Sequence, residues 1–297
     1  MSSENECLQF SAFALTDVGL HRDDLEDAFY ISEEHGLFIV SDGMGGAVAG
    51  GLAAAVTVQM LPLKLSEECK TLQYSDENKS VVKAQALGRM IDAVEALLLE
   101  KTVNQPAAKG LGATVVAGFY VGNRTMALSY LGDSRAYLLR GAILECLTQD
   151  HTVANMLFLS GHINREQLPL HPARHILTRY VGMRDCPRAE VALLPLLPND
   201  RLLFCTDGLT NMISDQEIGQ ILAENRSKEK AAHTLVASAN KAGGDDNITV
   251  VIIDVLPHSS INEWDGCVTV REEVGYSLLA TEERTRERLT EAENDRK

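Results

Sequence analysis

The stretch Leu37–Gly46, LFIVSDGMGG, carries an apolar run directly into an aspartate and three glycines. Four consecutive apolar residues are typical of a buried strand, whereas Asp-Gly is a favoured turn dipeptide. The same arrangement recurs at Leu202–Leu209, LLFCTDGL, where a second apolar run ends in Asp207-Gly208. One such unit predicts no more than a turn. Two of them, each after a strand apolar enough to be buried, predict that both carboxylates lie at the rim of a core.

The composition is that of a globular protein with a strongly negative net charge. The 297 residues are 45% hydrophobic and 23% charged, and the formal net charge is -15. This excess of carboxylates argues against binding to nucleic acid or to an anionic membrane. No apolar run approaches the roughly 18 residues that span a bilayer, and the acidic opening MSSENECLQF is unlike a signal peptide. The six cysteines are scattered without a C-x-x-C pair, so we expect a cytoplasmic protein with reduced thiols.

The order of apolar patterns predicts an α+β domain. An apolar hairpin is expected within residues 27–40, and the best amphipathic helix over residues 78–101. Short strands over residues 113–146 form an antiparallel meander, because their connections are too short for parallel crossovers. Two helices within residues 214–241 precede a last strand at 248–255. Helices should therefore cover antiparallel sheets.

Three further segments are less regular. Residues 50–65 begin with small side chains and predict a closely packed helix that Pro62 ends or kinks. Residues 151–174 are weakly helical and rich in loop-forming residues, so we expect a mobile cover. From Pro257 onward the chain turns polar. We expect one domain over residues 1–256 and a tail over residues 257–297 that is helical or disordered.

Carboxylates occur beside turn residues at four strand ends or strand starts, namely Glu26-Asp27, Asp42-Gly43, Asp207-Gly208 and Asp245-Asp246. Taken singly, each of these is more often a turn or a helix cap than a ligand. Asp42 and Asp207 differ because an unpaired carboxylate at a buried strand is costly and needs a cation or hydrogen-bond donors. Asp246 lies just before another apolar run, at residues 248–253. Three carboxylates at the rims of buried strands favour a shared cation site.

The chemistry of these candidate ligands indicates the cation. All of them are carboxylates, and hard oxygen ligands favour Mg²⁺ or Mn²⁺ over Zn²⁺ or copper. Their number indicates two ions. Two ions roughly 3.5–4 Å apart lower the pKa of a shared water and clamp the attacking and leaving oxygens of a phosphate ester. Arg22, four residues before Glu26, is a candidate to hold the phosphate, although a lone loop arginine is ordinarily a solvated surface residue.

These residues belong to a longer series of motifs, Thr16-Asp17-x-Gly19, Arg22-x-x-x-Glu26-Asp27, Asp42-Gly43-Met44-Gly45-Gly46, Gly112-Ala113-Thr114, Gly132-Asp133-Ser134-Arg135, Thr148-x-Asp150-His151, His171-Pro172-x-Arg174, Leu177-Thr178-Arg179, Thr206-Asp207-Gly208 and Asp246-Asn247-Ile248-Thr249-Val250. In this order, over about residues 8–255, they resemble the metal-dependent protein phosphatases, the protein phosphatase 2C family, in the style of its compact bacterial members. Any one motif is weak, but the ordered set is highly specific.

The resemblance implies a fold and a site. The fold is a four-layer αββα sandwich of two antiparallel sheets flanked by helices. The implied ligands of two Mn²⁺ or Mg²⁺ ions are Asp27, Asp42, the Gly43 carbonyl, Asp207 and Asp246. Asp42 is implied to bridge the ions, and Asp133 to hold a weaker third ion. Glu26 is implied to act mainly through metal-bound water, and Arg22 to grip the phosphate.

The implied reaction is in-line attack of the bridging water on phosphoserine or phosphothreonine, without a phosphoenzyme. The expected partners are phosphorylated proteins and a cognate serine/threonine kinase, and a monomer is the default oligomeric state. His151 and His171 are candidates for protonating the leaving group, but a structural hydrogen bond is the commoner role for a histidine of this kind.

Three positions depart from the family pattern. Leu25 stands where many bacterial members have Asn before Glu-Asp, although both acids are kept. The His that usually follows Asp-Gly-Met-Gly-Gly is Ala47, and the Glu expected four positions on is Gly51. Asn211 stands where some relatives have Asp, which weakens the third-ion site. Ala47 and Gly51 favour a rival function, a catalytically weak phosphoprotein-binding or regulatory module that retains the fold.

Overall fold

The computed structural model describes residues 8–45, 49–73, 75, 78–104, 111–186, 188–257 and 272–275. Its strands are β1 Leu8–Asp17, β2 Ala28–Ser32, β3 Leu37–Ser41, β4 Gly43–Met44, β5 Gly112–Ala113, β6 Val115–Gly122, β7 Thr125–Leu131, β8 Arg135–Arg140, β9 Ile143–Cys146, β10 Val191–Pro195, β11 Arg201–Cys205, β12 Ile248–Pro257 and β13 Glu272–Gly275. Its helices are α1 Ala49–Thr71, α2 Lys79–Asn104, α3 Val153–Leu159, α4 Asp207–Thr210, α5 Asp215–Glu224 and α6 Lys228–Ala242. The predicted hairpin and amphipathic helices are therefore confirmed. The short strands predicted over residues 113–146 are present, but the single meander is wrong: β6-β7 and β8-β9 are two antiparallel pairs in different sheets, because the chain crosses from one sheet to the other between β7 and β8.

The strands form two large sheets and one small one. The first sheet has the order β1-β12-β11-β8-β9, and the second has the order β10-β7-β6-β3-β2-β13. Strands β4 and β5 pair with each other. All of these pairs are antiparallel. Short turns join the pairs β2-β3, β6-β7 and β8-β9, and the other pairs bring together strands that are more distant along the chain.

Three apolar layers hold the sheets and helices together. Residues such as Phe38 and Phe204 fill the space between the two sheets. The outer face of the second sheet packs on α1 and α2, with Leu61 and Leu87 fully buried. The outer face of the first sheet packs on α5 and α6 through residues such as Leu235. The four-layer αββα sandwich implied by the resemblance is confirmed.

Two of the irregular segments differ from their sequence-based description. Helix α1 continues through Pro62 to Thr71, so the proline does not end it. Loss of one backbone hydrogen bond is tolerated here because the helix buries an apolar face, including Leu61 and Leu65, against the second sheet. In the predicted tail, residues 272–275 form β13 rather than helix or disorder. The strand pairs its backbone groups with those of β2. The rest of residues 258–297 lies outside the described part of the chain, so the domain boundary at 256 stays a prediction.

Candidate metal centre

The hairpin of β2 and β3 places two of the predicted ligands side by side. Asp27 comes directly before β2, and Asp42 comes directly after β3. In the antiparallel register Ala28 lies opposite Ser41. The two carboxylates therefore emerge at the same end of the second sheet, because each lies one residue beyond a paired position.

The first sheet delivers the other two ligands in the same way. Asp207 follows β11, and Asp246 lies two residues before β12. These strands are antiparallel neighbours, with Cys205 opposite Val250. The end of β11, which leads to Asp207, therefore lies beside the start of β12, which follows Asp246. Both faces of these strands are buried, with Phe204 and Val251 packed between the sheets and Leu203 and Ile252 packed against the helices. A slip by one residue would exchange the side chains of the two faces and disrupt both layers.

A hydrogen bond between side chains joins the two pairs of ligands. The Thr206 hydroxyl donates to Asp27 Oδ2 at 2.8 Å, and its oxygen accepts the Thr249 backbone N–H at 2.9 Å. Thr206 and Thr249 are both fully buried. The first sheet thus holds the carboxylate that enters from the second sheet, and the four aspartates meet at one end of the sandwich.

Asp133 reaches the same end by a different route. It lies between β7 of the second sheet and β8 of the first, where the chain crosses from one sheet to the other. The neighbouring Ser134 hydroxyl contacts the Thr114 hydroxyl at 2.7 Å. The Thr114 hydroxyl oxygen in turn accepts the Asp42 backbone N–H at 2.9 Å. This buried chain of contacts holds the Asp133 loop beside Asp42.

The carboxyl groups are arranged at an electrostatic cost. Burial raises the pKa of Asp27, Asp42 and Asp133 well above the usual range for aspartate, and it also raises the pKa of Asp207. The charges of neighbouring carboxylates raise each pKa further. For Asp42, those neighbours include Asp27, Asp207 and Asp133. Added positive charge beside such a cluster would stabilise its charged form.

Two orphaned oxygen atoms test whether the residues fit metal ions. Oδ1 of Asp27 and Oδ1 of Asp207 are buried and have no hydrogen-bond partner. Buried carboxylate oxygens rarely lack a donor, so each needs an explanation. Both belong to hard oxygen ligands of the kind that Mg²⁺ and Mn²⁺ prefer. The donor set therefore fits divalent ions of this class.

The carboxylates do not yet have the arrangement of a complete metal-coordination site. Within the described residues, no three histidine, cysteine or carboxylate side chains already stand in a metal-holding geometry. Asp246 Oδ2 accepts from Arg22 Nη2 at 2.7 Å, and Asp207 Oδ2 accepts from the Asn211 amide at 2.9 Å. Metal binding at this position therefore requires the carboxylates to exchange some of these contacts.

A cavity of about 870 Å³ opens onto the cluster. Its lining includes Arg22, Glu26, Asp42, Gly43, Asp133, Asp207 and Asp246. Asp27 is not part of that lining and lies behind it, 2% exposed. Glu26 is half-buried, and burial raises its pKa while the nearby Arg22 charge lowers it. Seven of the eight predicted site residues thus line one cavity, and the eighth lies directly beneath it.

One residue that organises this cavity has no predicted role. The Asn247 side chain accepts the Glu26 backbone N–H at 2.7 Å and donates to the carbonyls of Val18 and Asp24. It is buried, and it fixes the loop that carries Arg22 against the start of β12. The signal in the sequence is an amide directly before a buried strand, which is also what an ordinary turn would show.

The comparisons with known proteins agree with this geometry. A sequence profile of the family described as protein phosphatase 2C matches residues 17–243. The chain belongs to the protein phosphatase 2C family. It is 31% identical over 234 residues to the serine/threonine phosphatase stp of Listeria monocytogenes, covering 79% of this chain and 90% of the relative. It is 32% identical over 254 residues to the protein phosphatase PhpP of Streptococcus pneumoniae, covering 84% and 97%.

A solved structure of the same family supports the fold. The catalytic domain of the serine threonine protein phosphatase PstP, in complex with 2 manganese ions, superposes with a TM-score of 0.69 at 28% identity. The match covers 84% of this chain and 100% of that one. The protein phosphatase 2C fold therefore extends over nearly all of the described residues.

The departures from the protein phosphatase 2C pattern have different outcomes. Ala47 lies outside the described residues. Gly51 packs on the preceding loop, where an added Cβ would lie 3.3 Å from the Leu25 carbonyl oxygen, so the backbone of α1 approaches Glu26 closely. Asn211 donates to Asp207 instead of adding a negative charge. That the third-ion site is weak stays a prediction, and the neutral amide of Asn211 supports it.

The cover predicted over residues 151–174 includes α3, and its far end reaches the cavity. Arg174 lies in the lining. His151 has a structural role, since its Nδ1 accepts the Gly132 backbone N–H at 3.2 Å and its ring stacks on Tyr130. Burial lowers the pKa of His151 to about 4. His171 Nδ1 accepts the Ala173 N–H. Neither histidine lines the cavity, which favours the structural role for both.

Proposed function

We propose that this protein phosphatase 2C hydrolyses phosphoserine and phosphothreonine in proteins by in-line attack of a water held between two Mn²⁺ or Mg²⁺ ions. The proposed ligands are Asp27, Asp42, the Gly43 carbonyl, Asp207 and Asp246. The observation that carries the proposal is the convergence of these aspartates from two sheets, with buried oxygens of Asp27 and Asp207 left without a donor. The two manganese ions bound by the related PstP support the same choice of metal.

The ions and the protein contribute different chemistry. When bound, two such ions lower the pKa of a shared water and neutralise the attacking and leaving oxygens. Arg22 lies at the cavity rim with 46% of its side chain exposed, where its planar guanidinium can bind two phosphate oxygens at once. The phosphate then replaces Asp246 as the partner of Arg22. Glu26, held by Asn247 through its backbone N–H, orients water at the cavity floor.

Asp133 is proposed to hold a weaker third ion. Its side chain lines the cavity and is 8% exposed. Asn211, also in the lining, supplies a neutral amide where a carboxylate would add charge. Fewer charged ligands give lower affinity for a hard divalent cation, so this position is expected to fill only at higher metal concentration than the primary pair.

The substrates are phosphorylated proteins, and we propose that a cognate serine/threonine kinase produces them. The cavity is wide enough to admit a phosphorylated side chain from a protein surface, and Arg22 and Arg174 line it. No described helix is both long enough and apolar enough to cross a bilayer. We propose a cytoplasmic monomer. The rival function, a catalytically weak binding module, is not favoured because every primary ligand is present.

The test is metal-dependent hydrolysis of a phosphothreonine peptide. Asp207→Asn removes the charge of one ligand while keeping its shape, so we expect kcat to fall at least about 100-fold, the size of loss seen when a strong electrostatic contact is removed from a transition state. Chelation should abolish wild-type turnover. Asp185→Asn is the matched control, because Asp185 is exposed and outside the cavity. Turnover that persists with chelator, or in Asp207→Asn, would overturn the proposal.

A further inference from the structure

The chain carries a strand beyond the residues that the family profile matches. The family match ends at residue 243, and β12 ends at Pro257. Residues Glu272–Gly275 then return as β13, an antiparallel edge strand on the second sheet. Its register places Glu272 opposite Ser32 and Gly275 opposite Phe29. The metal centre described above does not account for this strand.

The strand that β13 covers begins directly after a proposed metal ligand. Every residue of β2, from Ala28 to Ser32, is buried, and Asp27 directly precedes it. On its other side β2 pairs with β3. Without β13, one row of backbone N–H and C=O groups of β2 would form the free edge of the sheet, which leaves a strand open to fraying and to unwanted pairing.

The direction of β13 brings its last residue close to the centre. Because the pair is antiparallel, Gly275 lies opposite Phe29, only two residues from Asp27. The pairing therefore covers the end of β2 at which the carboxylate emerges. Asp27 Oδ2 accepts the Thr206 hydroxyl at 2.8 Å, whereas the buried Oδ1 has no hydrogen-bond partner among the described residues. The backbone of β2 therefore contributes to the position of that second oxygen.

We propose that Glu272–Gly275 is a built-in edge strand that fixes β2 and so holds Asp27 in position to bind metal. The occupant of this sheet edge is the chain's own segment, held by main-chain hydrogen bonds as in strand addition generally. Loss of the strand lowers metal affinity without removing any ligand. This inference rests on the proposed role of Asp27, whereas the pairing of β13 with β2 does not depend on it.

The test uses two neighbouring proline variants in the full chain, Glu273→Pro and Val274→Pro. Consecutive backbone N–H groups of a strand point to opposite sides, so only one of the two faces β2. Proline at that position removes a ladder hydrogen bond, while proline at the other is tolerated on an edge strand. The second variant is therefore a matched control for the first, and circular dichroism confirms that both are folded.

Two measurements are made on each proline variant. Hydrogen–deuterium exchange of residues 28–32 should accelerate only in the variant whose proline replaces the residue with its N–H facing β2. Mn²⁺ titration calorimetry should show affinity weakened in that same variant by about threefold to tenfold, less than the 10–100-fold typical when a group touching a ligand is lost. Exchange that is unchanged in both variants, or changed equally in both, overturns the proposal. Faster exchange with unaltered Mn²⁺ affinity also overturns it.

A separate variant distinguishes a failure of this proposal from a failure of the proposed function. Asp27→Asn in the full chain should abolish high-affinity Mn²⁺ binding, whatever happens at β13. If Asp27→Asn binds Mn²⁺ like the wild type, the proposed ligand set is wrong, although the exchange data still report on the strand. If Asp27→Asn loses Mn²⁺ binding and the proline variants bind normally, the ligand set holds and the bracing role fails.

Discussion

Thr206 shows how much one hydroxyl contributes at the residue scale. It lies between a buried strand and a ligand, and its side chain both donates to Asp27 and accepts from the Thr249 backbone. Threonine is suited to the site because the hydroxyl bonds in two directions while the methyl group can pack in the core. The contact with Asp27 joins the two sheets where their carboxylates meet, and the contact with Thr249 lies within the first sheet.

We therefore predict that Thr206→Val destabilises the protein by about 1–3 kcal/mol, the cost of leaving buried polar groups unsatisfied. Valine has nearly the same shape, so packing changes little. Urea unfolding in chelator measures the free energy, and Thr206→Ser, which keeps the hydroxyl, is the control. A valine variant as stable as the serine variant would show that the hydroxyl is not needed.

At the scale of elements, α2 carries a buried carboxyl group that lies outside the candidate metal centre. Glu95 is 8% exposed, and burial raises its pKa to about 7. The Asp92 charge raises this pKa as well, whereas the Arg179 charge lowers it. Asp92 also accepts the Ala189 backbone N–H at 2.9 Å, so this part of α2 is packed against the segment that leads into β10.

The sign of the pH dependence follows from that shift. The pKa is about 4.5 in the unfolded chain and about 7 in the folded protein. Between these values the folded state binds more protons, so the free energy of unfolding decreases as the pH rises. We predict that Glu95→Gln raises the melting temperature at pH 8 relative to wild type but not at pH 4.5. The control is Glu100→Gln, exposed on the same helix. Equal effects at both pH values would contradict the prediction.

For the whole molecule, the centre lies where two sheets with separate outer helix layers meet. Its carboxylates come from both sheets, and their mutual repulsion opposes the packing that brings them together. Ions that bind only the folded arrangement should therefore stabilise the entire sandwich, since ligand binding to the native state adds to the free energy of unfolding.

We predict that Mn²⁺ at about 100 times its dissociation constant stabilises the fold by about 2.7 kcal/mol for each site that fills, or roughly 5–10 °C in melting temperature per site for a domain of this size. Differential scanning calorimetry with Mn²⁺ and with chelator measures the shift. Asp246→Asn should reduce the shift, and Asp185→Asn should not. A shift of equal size in Asp246→Asn would remove Asp246 from the ligand set.

The sequence was sufficient to predict most elements and to propose the ligands, because both depend on local pattern. Apolar runs ending in Asp42 and Asp207 predicted buried strands with carboxylates at their ends, and both strands are as expected. Helix α2 follows its 3.6-residue periodicity. The alternative that Pro62 ends α1 is wrong, because local propensity is overridden where a helix packs on a sheet; the alternative of a kink stays a prediction.

Other features depend on residues that are distant along the chain. Thr206 and Asp27 are 179 residues apart, and Arg22 and Asp246 are 224 apart. No local pattern predicts which hydroxyl or guanidinium meets which carboxylate. The contacts of Asn247 with residues 18–26 are equally hard to predict from local sequence, because they exist only once β12 has packed beside β1.

The sequence by itself determined the chemical class of the proposed ligands, the order of the strands along the chain and the family to which the protein belongs. Only the tertiary structure decided that the ligands meet at one end of the sandwich, that Arg22 is bonded to Asp246, and that residues 272–275 complete the second sheet. The physical reason is that side-chain type and periodicity are local properties. Convergence, in contrast, depends on strand register and on the packing of one sheet against the other.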